Sequence, residues 1–215
     1  MKIIFSSHKN AENREVIENL LLSYASSELV NIYSRDCLFK INEDKKYDLL
    51  VSDRTEFIFP HNALKNIGIS FNTHPSMLPI HKGSQPIFWA TLFNDPLGIS
   101  IHQINEKIDQ GDILYQKHID YNEDESFRIL HRTCRKEILF GIEQVLVSLK
   151  KNGSVRRFPA NDSLLKKHPT NFHHIKIDCI NLMKKLRLGW DTPVGVARQI
   201  LKNDIVRYKT SKNLK

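Results

Sequence analysis

What most constrains this chain is the exchange of two hydrophobic periods along its first third. Short apolar, β-branched or aromatic runs at Lys2–Ser6, Leu29–Tyr33, Tyr47–Ser52 and Gly68–Asn72 read as strands. Between the first two lies a helical stripe of Val16, Ile17, Leu20 and Leu21, with Asn10 or Asn13 placed to cap it. A short helix is expected over His61–Asn66. The Tyr47–Ser52 run is apolar on both faces, as in a strand covered from both sides. This alternation predicts an α/β domain with a mostly parallel sheet and crossover connections. In such sheets ligands bind beyond the carboxyl ends of the strands, so polar residues there come first in the search for chemistry.

Further on, Gln85–Asn94 reads as a helix carrying Ile87, Phe88, Leu92 and Phe93. Gly98–Ile104 alternates as a strand, and Gly111–Ile119 is its expected neighbour after a hairpin-like connection. Ser126–Lys150 is the longest periodic segment: Phe127, Leu130, Cys134, Ile138, Ile142, Val145 and Leu149 fall at helical spacing, and Gly153 ends it. Beyond Gly153 the character changes. Ser154–Thr170 is basic and irregular, Phe172–Ile177 is a candidate strand, Thr192–Leu201 a short helix, and Arg207–Lys215 a solvated tail. The expected organisation is a main domain over 1–153 and an appendage over 154–215.

Composition removes several classes. The 215 residues are 40% hydrophobic and 26% charged, which excludes a disordered or low-complexity chain. No apolar run approaches the roughly 20 residues that cross a bilayer, and Met1–Ser7 is too short for a secretory core. Cys37, Cys134 and Cys179 are far apart and offer neither a disulfide framework nor a zinc motif. A reduced, cytoplasmic setting without a membrane partner is expected. The 32 Lys and Arg against 24 Asp and Glu give a net charge of +8, which favours anionic partners without choosing among them. The basic residues interleave with acidic ones and no nucleic-acid motif appears, so nucleic acid is the weaker choice. The histidines, including His173-His174, show no ligand spacing, and no metal is expected.

The most informative stretch is Phe71-Asn-Thr-His-Pro-Ser-Met-Leu-Pro-Ile-His-Lys-Gly83. Asn72 and His74 lie two apart at a predicted strand end, so extended backbone turns both toward one side. An amide donates to a developing oxyanion, and an imidazole donates there or moves a proton. A carboxylate is then needed to orient the ring. Asp109, in the connection before Gly111, lies one helix and one strand further along and is the candidate; an ordinary turn aspartate is the alternative on spacing alone.

These residues resemble the enzymes that transfer a formyl group from 10-formyltetrahydrofolate. The similarity lies in Asn-x-His-Pro-Ser-x-Leu-Pro, then a basic residue and Gly83, then Ile-Asp-x-Gly at 108–111, and it is dense from Tyr47 to Lys150. The resemblance implies a parallel-sheet, Rossmann-like core in which Asn72, His74 and Asp109 are catalytic. It implies a folate pocket walled by the Ser70–Gly83 loop, with Met77 and Leu78, and by the connection carrying Asp109 and Gly111, with Arg54 near the pterin. Within the family, Gln85–Trp89, Gly98–His102 and Gly189–Pro193 look like the sugar N-formyltransferases. The purine-pathway members carry a glycine-rich phosphate loop where this chain reads Ser6-Ser-His-Lys-Asn-Ala-Glu, yet glycinamide ribonucleotide remains the alternative acceptor. The resemblance favours a dTDP-linked 4-amino-4,6-dideoxyhexose, held by Lys82, Gly83, Lys9 and Trp89, in a homodimeric enzyme serving surface polysaccharide. For Trp89 core packing is the competing role.

Overall fold

A computed structural model describes residues 1–26, 28–41, 44–168 and 174–213. The chain divides into two compact units, each discontinuous in sequence. One comprises Met1–His74, Ile101–Tyr115 and Ile138–Pro159; the other comprises Pro75–Ser100, Gln116–Glu137 and Ala160–Lys215.

The first unit is built on β1 (Lys2–Ser7), α1 (Arg14–Tyr24), β2 (Glu28–Ile32), a 3₁₀ turn over Arg35–Lys40, β3 (Tyr47–Asp53), α2 (His61–Leu64) and β4 (Ile67–His74). Three further elements run from one unit into the other: β5 (Gly98–Gln103), β6 (Ile113–His118) and α4 (Phe127–Asn152). The six strands form one sheet in the order β2-β1-β3-β4-β5-β6. β1 is parallel to β2 and β3, and β3 to β4. The apolar runs explain the central position of β1 and β3: Ile3, Ile4, Leu49, Leu50 and Val51 have no exposed surface, and each such side chain contributes about 1.5–3 kcal/mol on burial. Leaving β1, the chain pairs first on one side and then on the other, which makes the β1/β3 border a topological switch. On α1 the buried stripe narrows to Ile17 and Leu21, with Val16 turned to solvent, and Asn13 stands at the N-cap without a side-chain bond.

The second unit contains α3 (Pro86–Phe93), buried at every residue and closed by Asn94 in the left-handed conformation, φ 58°. It also holds α5 (Asp162–Lys167), α6 (Lys176–Met183), a 3₁₀ turn at Gly189–Asp191, α7 (Val194–Ile200) and α8 (Lys202–Asn213). Three sequence expectations change here. The basic stretch after Gly153 contains α5, whose start is capped by the Asn161 side chain accepting from the Ser163 N–H. The candidate strand Phe172–Ile177 gives way to α6 from Lys176, with Asp178 in the favourable first turn; its earlier residues 172 and 173 lie outside the described residues. The expected solvated tail is exposed along much of its length but helical, α8 reaching Asn213 with half-buried Tyr208 stacked on Trp89 at 4.4 Å between ring centres; residues 214 and 215 lie outside the described residues.

Candidate active site

The register of the first unit lines up a polar row across its strands. Ser6 pairs with Ser52, and Ser52 with Asn72, at the carboxyl ends of β1, β3 and β4. In a parallel sheet such partners share a face, so three polar side chains stand side by side. The Ser52 hydroxyl donates to Asn72 Oδ1 at 2.8 Å, and Thr55 ties Ser52 and Ser6 together from the loop after β3. Asn72 Nδ2 then lies 3.3 Å from Nε2 of His102 on β5, which extends the row across a fourth strand. On the other face the Thr73 hydroxyl bonds the buried Asp53 carboxylate and closes the same strand ends.

Two residues past Asn72, His74 falls on the same side, as its spacing predicts. Its Nδ1 lies 3.6 Å from Asp109 Oδ2, and the two side chains are only 6% and 8% exposed. The other carboxylate oxygen, Oδ1, is 3.5 Å from His102 Nε2. Asp109 thus stands between two imidazoles. It is carried there by the connection between β5 and β6, in the left-handed conformation at φ 53°, which Asp tolerates better than most residues. Gly111 lets that connection close: a Cβ there would lie 1.8 Å from the Gln103 carbonyl oxygen. Its neighbour Asp112 accepts from the Gln103 N–H at 2.8 Å.

The fold therefore brings together Asn72, His74 and Asp109, drawn from one strand and one distant connection, and adds Ser52 and His102. Sequence reasoning passed over those two. The signal was present for His102: in Gly98–Gln103, Ile99 and Ile101 alternate with Ser100 and His102, and a polar residue on a strand buried on both faces calls for a partner. Chemically, the cluster offers an oriented amide donor, an imidazole beside a carboxylate, and a second imidazole behind them, all largely removed from water.

Other sequence-derived candidates are placed differently. Ser70 is on β4, its carbonyl accepting from Ile104; Arg54 and Lys9 are exposed on the first unit, Arg54 at φ 54°. In the second unit, the Leu78 N–H donates to the Ser100 hydroxyl, and Leu78 and Met77 belong to the loop after β4. Gly98 leaves room for Met77, since a Cβ there would lie 2.4 Å from its sulfur. Lys82 is buried, and its carbonyl accepts from the His174 N–H. Gly83, at φ 85°, bridges to His174 so closely that a Cβ would sit 2.6 Å from the His174 oxygen. Trp89 departs from its expected role: it is fully buried, with His174 and Tyr208 stacked on its ring, so it presents no face to a nucleotide base. Among the described residues no group of three or more His, Cys, Asp or Glu is arranged to hold a metal ion, and no helix is long and apolar enough to cross a membrane.

Known proteins are similar to this chain. The chain is 30% identical over 159 residues to methionyl-tRNA formyltransferase of Ehrlichia chaffeensis, covering 68% of this chain and 46% of the relative. It is 31% identical over 105 residues to GDP-perosamine N-formyltransferase of Brucella melitensis biotype 1, covering 47% of this chain and 40% of the relative. The chain thus spans less than half the length of these two curated relatives. The fold is that of the formyltransferase PseJ from Anoxybacillus kamchatkensis, solved with UDP-4,6-dideoxy-4-formamido-L-AltNAc and tetrahydrofolate. The TM-score is 0.70 at 22% identity, over 92% of this chain and 99% of that one. Residues 43–145 match the model of the formyl transferase family, a span that holds Asn72, His74, His102 and Asp109.

Proposed function

We propose that this protein transfers the formyl group of 10-formyltetrahydrofolate to the amine of a nucleotide-linked amino sugar, with a dTDP-4-amino-4,6-dideoxyhexose as the favoured acceptor. The observation that carries this reading is the convergence of Asn72, His74 and Asp109 in one buried cluster, with His74 and Asp109 at 3.6 Å. The donor set fits the chemistry: a neutral formyl carbonyl that becomes anionic meets an amide N–H and an imidazole, with a carboxylate behind the ring. Solved relatives of the same fold were crystallised with such ligands, among them one from Helicobacter canadensis with folinic acid and dTDP-3-aminofucose.

The folate supplies an activated formyl carbon on nitrogen. Asn72 donates to the formyl oxygen as negative charge grows there, a contribution of about 2.7–4 kcal/mol for one well-placed donor. His74 is the second donor, and the neighbouring Asp109 charge favours its imidazolium form while the oxyanion exists. As the amine nitrogen bonds the formyl carbon, Asp109 accepts the proton it releases, directly or through water; the oxyanion then re-forms the carbonyl, the carbon–N10 bond breaks, and N10 takes up a proton as tetrahydrofolate leaves. Ser70, Gly111 and Arg54, with Met77 and Leu78, are assigned to folate, and Lys9, Lys82 and Gly83 to the nucleotide sugar. A cytoplasmic homodimer serving surface polysaccharide belongs to the same reading. Among the described residues the chain beyond Gly153 is helical in α5–α8.

The test is direct. Purified protein is given 10-formyltetrahydrofolate with amino-sugar nucleotides, glycinamide ribonucleotide or methionyl-tRNA, and tetrahydrofolate release and formylated product are measured. Formylation of an amino-sugar nucleotide is expected. Turnover only with glycinamide ribonucleotide or methionyl-tRNA would replace the acceptor, and turnover with none would defeat the reading.

A further inference from the structure

His102 is left without a role by the catalytic trio, although its ring is buried and touches two of the three members. Its two nitrogens meet different partners. Nδ1 lies 3.1 Å from the Gln103 carbonyl oxygen, which accepts only, so Nδ1 carries a proton. Nε2 lies 3.3 Å from Asn72 Nδ2. With Asn72 Oδ1 on the Ser52 hydroxyl at 2.8 Å, the amide nitrogen is the end turned to the ring. Asp109 Oδ1 lies farther from Nε2, at 3.5 Å, and draws a proton toward that nitrogen, but the nearer amide N–H needs an acceptor, which an Nδ1–H ring supplies in the Nε2 lone pair.

We propose that His102, held as the Nδ1–H tautomer by the Gln103 carbonyl, is the positioning residue that aims Asn72. Ser52 grips the amide oxygen and His102 takes one of the two amide hydrogens, which leaves the second directed by geometry toward the reacting carbonyl. The groups facing the ring from neighbouring elements are Asn72 and His74 on β4 and Asp109 on the β5–β6 connection, with the His74 and His102 rings edge to face at 6.5 Å. The inference rests on the formyl-transfer reading for its consequence, but the tautomer is a property of the resting protein.

Two measurements on the full chain decide it. In two-bond ¹H–¹⁵N spectra of the imidazoles, the signal lost in His102→Gln identifies His102. That ring is expected to carry its proton on Nδ1. A proton on Nε2 overturns the proposal with no substrate present. In kinetics, His102→Met removes the acceptor and is expected to lower kcat about 10- to 100-fold while KM changes less than about threefold. His102→Gln, whose side-chain oxygen stands in for the Nε2 lone pair, is expected to recover kcat to within about fivefold of wild type. In an Asn72→Ala background the His102→Met penalty is expected to fall below about twofold, since the ring acts through that amide. An undiminished penalty there, or no recovery by Gln, makes His102 a packing residue instead. Failure of wild type to formylate any amine would defeat the enzyme reading alone, with the tautomer still judged by its spectrum.

Discussion

An asparagine amide can turn either its oxygen or its nitrogen toward a ligand, and at Asn72 the oxygen faces the Ser52 hydroxyl and the nitrogen faces His102. Removing that amide isolates the chemistry from the fold. Asn72→Ala is expected to lower kcat by about 10²–10³, the scale of losing one oxyanion donor, with the melting temperature little changed. Asp109→Asn keeps a side chain that accepts left-handed backbone while deleting the charge, and His74→Asn keeps a donor but no proton carrier. Each is expected to cost at least about 10²-fold in turnover; rates near wild type in steady-state assays would reassign these residues. Cysteine chemistry is also settled residue by residue. Burial pushes the Cys134 and Cys179 thiols up to about 12, whereas a hydrogen bond with Ser34 lowers half-exposed Cys37. Since the thiolate reacts, one of the three thiols is expected to titrate rapidly with a disulfide reagent at pH 7.5 and all three in guanidinium. Two fast thiols in the native protein would contradict the burial.

Among the elements, the β5–β6 connection governs most of the site, because it carries Asp109 across to β4. Its closure depends on Gly111, where the Gln103 carbonyl leaves no room for a methyl group. Gly111→Ala is expected to destabilise by about 1–3 kcal/mol, the usual cost of overpacking, and to lower kcat as well by drawing Asp109 away from His74. Thermal melts and turnover read both effects; a stable variant with full activity would show that the connection tolerates displacement. The strands themselves were legible: the runs at Lys2, Tyr47 and Gly68 became β1, β3 and β4 with shifts of one or two residues at their ends. Asn72 and His74 were legible for the same reason, since a period of two survives any tertiary arrangement. Ser52 was not, because a serine closing an apolar strand carries no sign of its lateral neighbour.

Over the whole molecule, long-range contacts decide what composition could not. In the second unit Asp95 accepts from or pairs with His81 and His168, while His81 meets His174 and His174 meets Tyr208, joining segments far apart in sequence. Burial alone would push the Asp95 carboxyl up, but His81 and then His168 hold it below its ordinary value. A lowered carboxylate stabilises the fold above its unfolded value, near pH 4, and that contribution disappears as pH falls through the lowered folded value. Asp95→Asn is therefore expected to cost about 1–3 kcal/mol at neutral pH, with the gap to wild type closing in acid below about pH 4. Melts across that range check it, and a gap independent of pH would mean that Asp95 serves by shape and not by charge.

By itself the sequence determined the α/β class, the parallel core and the common side shared by Asn72 and His74, because hydrophobic period and strand alternation are local properties written into neighbouring residues. The choice of Asp109 rested on spacing and resemblance until the β5–β6 connection was seen to bring it against His74. Only the tertiary structure recruited Ser52 and His102, buried Trp89 under His174 and Tyr208, and turned a polar C-terminal stretch into α8. Those outcomes depend on lateral register between strands and on contacts between residues distant in the chain, and neither leaves a periodic trace.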